Sequence, residues 1–209
     1  MKLLDLKSRF RHRPVFRLSD LHPTDSHGKH ELVQLNRWVK EGQVIRIIKG
    51  LYTLPEHERN VTLNPHWLAN ELYIPSYISL EYALSYHDLI PEATGTITGV
   101  TTRKTASFST PFGSFSYRHL KNEDFFGFTA LRTGTDTLEF WMATPEKAVI
   151  DFIHLCIPRK SIPERGLFLE GYRFQNLDTL NKHIYREMAN RFSARTARRH
   201  IEIFGELLS

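Results

Sequence analysis

The sequence predicts an α+β protein of two domains, a small one over residues 1–60 and a larger one over residues 61–209. Three observations lead to this fold class. Apolar residues recur at helical spacing near both ends, short strands punctuated by Gly and Pro fill the middle, and 209 residues suffice for two cores. The hydrophobic content of 41% and charged content of 24% are typical of a globular protein.

The first domain is predicted to begin with a helix and a short strand. Apolar residues at helical spacing indicate a helix over residues 2–11. The alternation over residues 15–18 predicts a strand. Ser19 and Asp20 then supply an N-cap signal for a very short second helix, which closes in the turn-rich residues 23–28.

The strongest helix of this domain is predicted over Lys29 to Glu41. Its apolar stripe consists of Leu32, Leu35, Trp38 and Val39, and Gly42 is typical of a helix end. The opposite face carries long or amide-bearing side chains, namely Lys29, His30, Gln34, Asn36, Arg37 and Lys40. Such side chains can reach the base edges or phosphates of a nucleic acid.

A β-hairpin is predicted directly after this helix, over Val44–Leu54 with its turn at Lys49 and Gly50. This order of elements is typical of an N-terminal winged helix-turn-helix. The second helix of such a motif, the recognition helix, lies in the major groove of double-stranded DNA. We expect three base-reading residues, His30, Gln34 and Arg37. We expect four phosphate contacts, Lys29, Lys40, Arg46 and Lys49. A packed helix with a solvated outer face, capped by the hairpin, is the alternative.

Positive charge is concentrated in the first domain. Residues 1–60 contain 12 Lys and Arg against 7 Asp and Glu, residues 61–160 contain 8 against 10, and residues 161–209 contain 8 against 6. A basic module joined to a near-neutral body is typical of a chain in which one part binds a polyanion. A basic face that only water contacts is the alternative.

Several function classes lack their usual motifs. The apolar stretches are too short for a membrane span, no signal peptide is recognisable, and the lone Cys156 excludes an intramolecular disulfide and a thiolate metal cage. We therefore expect a cytoplasmic protein in which Cys156 is a buried structural thiol. The sequence shows no metal-binding spacing of histidines, no glycine-rich phosphate loop and no nucleophile motif. We therefore expect no metal, no cofactor and no catalytic residue.

The second domain is predicted to combine a mixed β-layer with helices. Two helices are expected over 66–73 and 79–88, the latter capped by Ser79. Five strands are expected, over 96–101, 107–109, 114–119, 127–131 and 138–142. A core helix then begins at Pro145 behind the N-cap Thr144.

Two amphipathic helices are predicted at the end of the chain, over 176–190 and 194–208. The first is expected to turn Leu177, Leu180, Ile184 and Met188 inward, and the second to turn Ala197, Ile201, Phe204 and Leu208 inward. Between and along them lies a possible second basic patch, Arg191, Arg195, Arg198 and Arg199. A solvated face, the DNA backbone and a protein partner remain open as its role.

The core helix contains Glu146, Lys147 and Asp151, residue types also used by metal-dependent nucleases. Adjacent residues on a helix do not face the same point, so Glu146 and Lys147 are poorly placed for shared chemistry. A structural role is favoured, in which Lys147 or Asp151 holds the core helix to the sheet. A nuclease is the alternative.

Ordered sequence blocks resemble the AbiEi family, the antitoxins of type IV abortive-infection toxin–antitoxin systems. The winged-helix block is Leu35–Arg46 followed by Lys49–Tyr52, and the later blocks are 75–84, 89–92, 98–104, 112–115 and 143–148 with Asp151. The resemblance implies a DNA-binding repressor of its own operon that counters a nucleotidyltransferase-like toxin. Promoter inverted repeats would accommodate a homodimer, with a monomer as the alternative. A stand-alone transcription factor and a toxin-neutralising module without DNA binding are alternative functions.

Overall fold

A computed structural model describes residues 2–21, 28–133 and 138–208, with the side chains of residues 28–30 outside this description. The chain divides into two compact units. Unit 1 is Met1–Pro65 with Thr110–Phe112, and unit 2 is His66–Ser109 with Gly113–Ser209. Helices and strands are mixed along the chain, which confirms the predicted α+β class.

The described part of unit 1 consists of two α-helices packed on a small antiparallel sheet. The helices are α1 (Leu3–Phe10) and α2 (Gly28–Lys40). The strands are β1 (Phe16–Arg17), β2 (Ile45–Ile48) and β3 (Leu51–Thr53), in the order β1-β3-β2. Short 3-10 turns occupy Leu18–Asp20 and Glu56–Glu58. The predicted first helix, long helix and hairpin are therefore confirmed.

The core of unit 1 contains a row of stacked aromatic rings. The ring of Phe10 stacks on that of Phe16 at 4.5 Å between centroids, and Phe16 stacks on Tyr52 at 5.9 Å. These contacts fasten α1 to β1 and β3, and the remaining buried side chains of the cluster are Leu6, Leu21, Leu35, Trp38, Val44 and Leu54. Burial of this apolar area is the main favourable term for folding of the unit.

One prediction for unit 1 is wrong, and another concerns residues outside the described part of the chain. Leu32 is predicted in the apolar stripe of α2, but it is 38% exposed, because it lies at the edge of that stripe beside the exposed Val33. Asp20 closes the 3-10 turn by accepting a hydrogen bond from the backbone N of Arg17 at 2.7 Å. The remainder of the predicted second helix, residues 22–27, lies outside the described residues.

Unit 2 is built on a six-stranded mixed sheet with the order β6-β7-β5-β4-β9-β8. The strands are β4 (Ser76–Ile78), β5 (Thr96–Thr101), β6 (Ala106–Thr110), β7 (Gly113–His119), β8 (Phe128–Leu131) and β9 (Phe140–Ala143). β4 pairs antiparallel with β5 and parallel with β9, β5 and β7 are parallel, and β8 and β9 are antiparallel. The five predicted strands are confirmed, and β4 is an additional strand near the centre of the sheet.

The described helices of unit 2 are α3 (Pro65–Leu72), α4 (Leu80–Tyr86), α5 (Pro145–Leu155), α6 (Lys182–Arg191) and α7 (Arg198–Gly205). A π-helical segment spans Leu167–Gly171. α5 is the predicted core helix, with Ala148, Val149 and Ile150 fully buried. As predicted, the Thr144 side chain caps it by accepting from the backbone N of Lys147.

The predicted start of α6 is wrong, whereas Ser79 is the N-cap residue of α4 as predicted but makes no capping hydrogen bond. Ser79 occupies the N-cap position of α4, but its hydroxyl instead donates to Asp151 Oδ2 at 2.9 Å. α6 begins six residues later than predicted, because the Asn181 side chain caps it by accepting from the backbone N atoms of residues 183 and 184. Ile184 is consequently 40% exposed, and the inward residue is Tyr185.

Candidate nucleic-acid interface

α2 has one packed face and one exposed face. Leu35 and Trp38 are 0% and 2% exposed and belong to the core of unit 1. The exposed side carries Leu32, Val33, Asn36, Arg37 and Lys40, followed by Glu41 after the last turn. The face therefore presents two cations, one amide and two apolar side chains to solvent. Helical spacing predicted Leu32 on the packed face and gave Val33 no role, yet both side chains are exposed.

Arg37 is a predicted base-reading residue that projects from this face. Its side chain is 63% exposed, and its Nε lies 3.5 Å from Oε1 of Glu41, one turn later. An exposed ion pair within a helix contributes little to stability. The guanidinium can therefore leave Glu41 for a guanine edge or a phosphate at small cost.

Gln34 lies on the flank of α2, away from the centre of the exposed face. It is half-buried, three residues after Glu31 and four before Trp38, both of which lie towards the packed side. The side chains of Lys29 and His30 lie outside the described residues. Of the two base-reading candidates whose side chains are described, Arg37 is exposed on the solvent face of α2, whereas Gln34 lies half-buried at the edge of that face.

The hairpin after α2 exposes both of its predicted phosphate contacts. Arg46 is exposed on β2, and Lys49 is exposed at the turn. Gly50 completes the turn at a φ of 87°, a conformation that glycine adopts without strain. The strand pairing shifts after Arg46, and Ile47 is buried there at 3% exposure. One side of the hairpin thus anchors it to unit 1, while the other presents cations.

Other basic residues of unit 1 support the fold instead. Lys7 Nζ donates to Gln43 Oε1 at 2.8 Å and to Glu58 Oε1 at 2.7 Å, with the Lys7 side chain only 19% exposed. The hydrogen bond from Lys7 lowers the pKa of Glu58. Burial also lowers the pKa of the Arg59 guanidinium. The count of cations in residues 1–60 therefore overstates the charge that is free to meet a ligand.

The four arginines of the predicted second patch are all exposed: Arg191, Arg195, Arg198 and Arg199. Their surroundings differ. The Arg191 guanidinium lies 3.9 Å above the ring of Phe126, and Arg199 Nη1 lies 3.5 Å from Glu202 Oε2. Arg198 lines a cavity of about 280 Å³ between α6 and α7 together with Glu202 and Glu206. Acidic neighbours thus offset part of the charge of this patch.

Lys147 is buried in a polar cluster beneath the sheet of unit 2. Its ammonium forms an ion pair with Asp151, with both side chains fully buried, and donates to Tyr77 Oη at 3.0 Å. Tyr77 Oη in turn donates to Asp151 Oδ2 at 2.9 Å. Burial lowers the pKa of Lys147, an effect that the neighbouring Asp151 opposes. Because Tyr77 belongs to β4, the cluster holds α5 to the sheet, which confirms the predicted structural role.

Glu146 is directed elsewhere, since its Oε1 accepts from the backbone N of Asn181 at 2.9 Å, just before α6. Glu146 and Lys147 therefore do not form a shared site, and the nuclease alternative loses its geometric basis. Asp124, which is fully buried, likewise serves packing by accepting from the N and Oγ atoms of Ser193 at 2.7 and 2.9 Å.

Metal-binding groups and membrane-spanning helices are both absent from residues 2–21, 28–133 and 138–208. These residues contain no group of three or more His, Cys, Asp and Glu side chains placed to hold a metal ion. None of their helices has the length and apolar character needed to cross a membrane. Cys156 is half-buried, and burial raises the pKa of its thiol, which disfavours the reactive thiolate.

Comparison with known proteins bears on unit 1. Residues 5–55 match the model of a family described as a transcriptional regulator, AbiEi antitoxin. The match begins within α1 and includes α2, β2 and β3, so Arg37, Arg46 and Lys49 lie in the matched segment. No curated protein matches the chain significantly. Residues 5–55, about a quarter of the chain, are thus similar to the AbiEi antitoxin family of transcriptional regulators.

Proposed function

We propose that the protein represses transcription by binding double-stranded DNA through unit 1, with α2 in the major groove and the β2–β3 hairpin against the backbone. The observation that carries this proposal is the exposed face of α2, where Asn36, Arg37 and Lys40 follow one another within two turns. The hairpin places Arg46 and Lys49 in solvent directly after that helix. Helix and hairpin cations in this order fit a base-reading element beside a backbone-binding element.

The free cations of unit 1 support electrostatic attraction to the phosphates. Arg46 and Lys49 are exposed, whereas Lys7 already binds Gln43 and Glu58. Each neutralised phosphate releases condensed counterions, so affinity falls steeply with salt. The predicted phosphate contacts are thus separable by experiment from the predicted base reader, Arg37.

The test measures, by fluorescence anisotropy, the affinity of the full chain for the promoter region of its own gene. The same measurement on an unrelated duplex of equal length gives the preference for the promoter. Arg37→Ala should reduce the preference for the promoter by roughly 10-fold or more, the ratio expected when one bidentate base contact is lost. Lys121→Ala is the matched control, because Lys121 is an exposed cation of unit 2 paired with Glu123. Equal promoter preference of the wild type and Arg37→Ala would remove α2 from the interface.

We further propose that the protein acts as an antitoxin against a nucleotidyltransferase-like toxin and works in the cytoplasm. The family description supports the antitoxin role, and the match to unit 1 leaves unit 2 available for it. Rescue of toxin-arrested cells by the double variant Arg37→Ala/Lys49→Ala would show that antitoxin activity does not need DNA binding. Loss of rescue with intact folding would favour repression as the route of protection.

The proposed operator is a promoter inverted repeat bound by a homodimer, with a monomer as the alternative. A dimer places its recognition helices in successive major grooves, about one helical turn apart. Light scattering of the complex with one repeat and with two repeats distinguishes these states. A mass of one chain per duplex on the complete inverted repeat would exclude the homodimer.

A further inference from the structure

Val33 is the most exposed apolar side chain of α2, at 70% exposure. It lies three residues before Asn36, four before Arg37 and seven before Lys40, so the four residues form one strip along the helix. Leu32, at 38% exposure, lies beside this strip. An apolar patch thus occupies the N-terminal half of a strip whose other half is amide and cationic.

Neither packing nor helix formation accounts for Val33. The core contacts of α2 are made by Leu35 and Trp38 on the opposite side. A β-branched residue loses side-chain freedom in a helix and is a poorer helix former than Ala, Leu, Lys or Glu. Isolated exposed apolar residues are common on proteins, but this one lies in line with the groups proposed to enter the major groove.

The major groove offers one apolar group to such a side chain, the C5-methyl of thymine. The other groups on base edges in that groove are hydrogen-bond donors and acceptors, which valine cannot satisfy. Valine is also stiff about χ1 in a helix, so it loses little conformational freedom on contact. A cytosine at the same position has a hydrogen in place of the C5-methyl, so the Val33 side chain would lose its apolar contact.

We infer that Val33 reads a thymine by packing its methyl groups against the C5-methyl in the major groove. This inference rests on the proposed function and deepens it, since it predicts a T·A pair in the operator under the first half of α2. The two cations of the strip, Arg37 and Lys40, favour a polyanion over a second copy of the chain as the occupant. Val33 thereby becomes a residue that determines specificity through shape and apolar contact.

The test replaces each thymine of the bound promoter fragment singly with deoxyuridine, which removes the methyl group and leaves base pairing intact. For the wild type, one position per half-site should weaken binding by about fourfold, the ratio expected when one methylene-sized group is left in water. Val33→Ala should bind the thymine and uracil duplexes equally. Leu4→Ala is the matched control, because Leu4 is 76% exposed on α1, and it should keep the wild-type difference.

The outcomes separate this inference from the proposed function. Specific DNA binding without any sensitivity to uracil, or sensitivity that persists in Val33→Ala, overturns the reading role and leaves the DNA-binding proposal intact. Failure of the wild type to bind any duplex overturns both. A change in oligomeric mass on Val33→Ala, without sensitivity to uracil, would assign Val33 to a contact between copies and also overturn its role in reading DNA.

Discussion

Lys147 and Asp151 lie one turn apart on α5 and form an ion pair in which both side chains are fully buried. The ammonium lies 5.2 Å from the ring centre of Phe126 and 5.1 Å from that of Phe192. Tyr77 and Ser79 complete the shell by donating to Asp151. A charged pair so enclosed depends on its partners, because either charge left alone would be buried without compensation.

Removing the cation should therefore destabilise unit 2 strongly. Lys147→Met keeps the volume of the aliphatic stem but leaves Asp151 as an unpaired buried carboxylate, and we expect the free energy of unfolding to fall by about 3–5 kcal/mol. The double variant Lys147→Met/Asp151→Leu should lose less than the two single variants combined. Urea unfolding followed by circular dichroism measures both. Additive losses would show that the pair is not energetically coupled.

Gly127 should tolerate no side chain. Its φ is 75°, and an added Cβ would lie 3.0–3.1 Å from the side-chain carbons of Lys147. Gly127→Ala should therefore lower the stability of unit 2 by about 1–3 kcal/mol, from backbone strain together with crowding of the buried lysine. Gly95→Ala is the control, since an added Cβ there meets nothing within 4 Å. Its melting temperature should stay close to that of the wild type.

Tyr185 joins α6 to α7 through its hydroxyl, which donates to the carbonyl of Ile201 at 2.8 Å in a buried setting. Tyr185→Phe leaves that carbonyl without this donor, so we expect a loss of about 1–2 kcal/mol in unfolding free energy. Tyr86→Phe changes the same atom on a side chain that is 43% exposed, and it should alter stability by less than about 0.5 kcal/mol. Equal effects of the two variants would contradict a structural role for the buried hydroxyl.

Acid should weaken unit 1 through Glu58. The hydrogen bond from Lys7 lowers the pKa of Glu58 from its ordinary value of 4.5, so the folded state holds the carboxylate more strongly than the unfolded chain does. This contribution is complete above pH 4.5 and is lost as the pH falls through the lower, folded pKa. Melting temperatures of Glu58→Gln should therefore depend less on pH below 4.5 than those of the wild type. Glu56→Gln, an exposed change in the same 3-10 turn, should keep the wild-type dependence.

Lys49 should act on all DNA alike. It is exposed at the hairpin turn, where a phosphate contact would be independent of sequence. Lys49→Ala should lower affinity for promoter and unrelated duplexes equally and reduce the slope of log affinity against log salt by about 1. Titrations at four or more salt concentrations measure the slope. An unchanged slope would place the turn away from the backbone.

Periodicity predicted the helices and hairpin of unit 1 well, because Leu35, Trp38 and the alternating residues after Gly42 have one clear buried side. It missed β4, since a three-residue strand is too short to show alternation. It also failed at α6, where Asn176 has a φ of 51° and Asn181 provides the cap. Asn176 precedes a 3-10 turn over Leu177–Thr179, and the α-helix begins only after Asn181, whose backbone N also donates to Glu146 Oε1.

The candidate site was predictable as a face but not in its individual members. The helical repeat placed Arg37 and Lys40 opposite Leu35, and both are exposed. It could not place Gln34, which lies at the border of the two faces, where a rotation of a few degrees decides burial. Nor could composition separate Lys7 from the free cations, because its partner Glu58 is 51 residues away in the chain.

Replacing Lys7 would affect ligand binding by unit 1 only through the fold, because Lys7 donates to Gln43 and Glu58. Alanine substitution of every basic residue of unit 1 is expected to weaken promoter binding at residues that contact DNA and also at residues that stabilise the fold. Lys7 belongs to the second group, because its loss frees the segment before the hairpin and the turn after it, which contain Gln43 and Glu58. Such a variant would melt earlier while its salt slope stays that of the wild type, so a weakened complex alone does not identify a residue that contacts DNA.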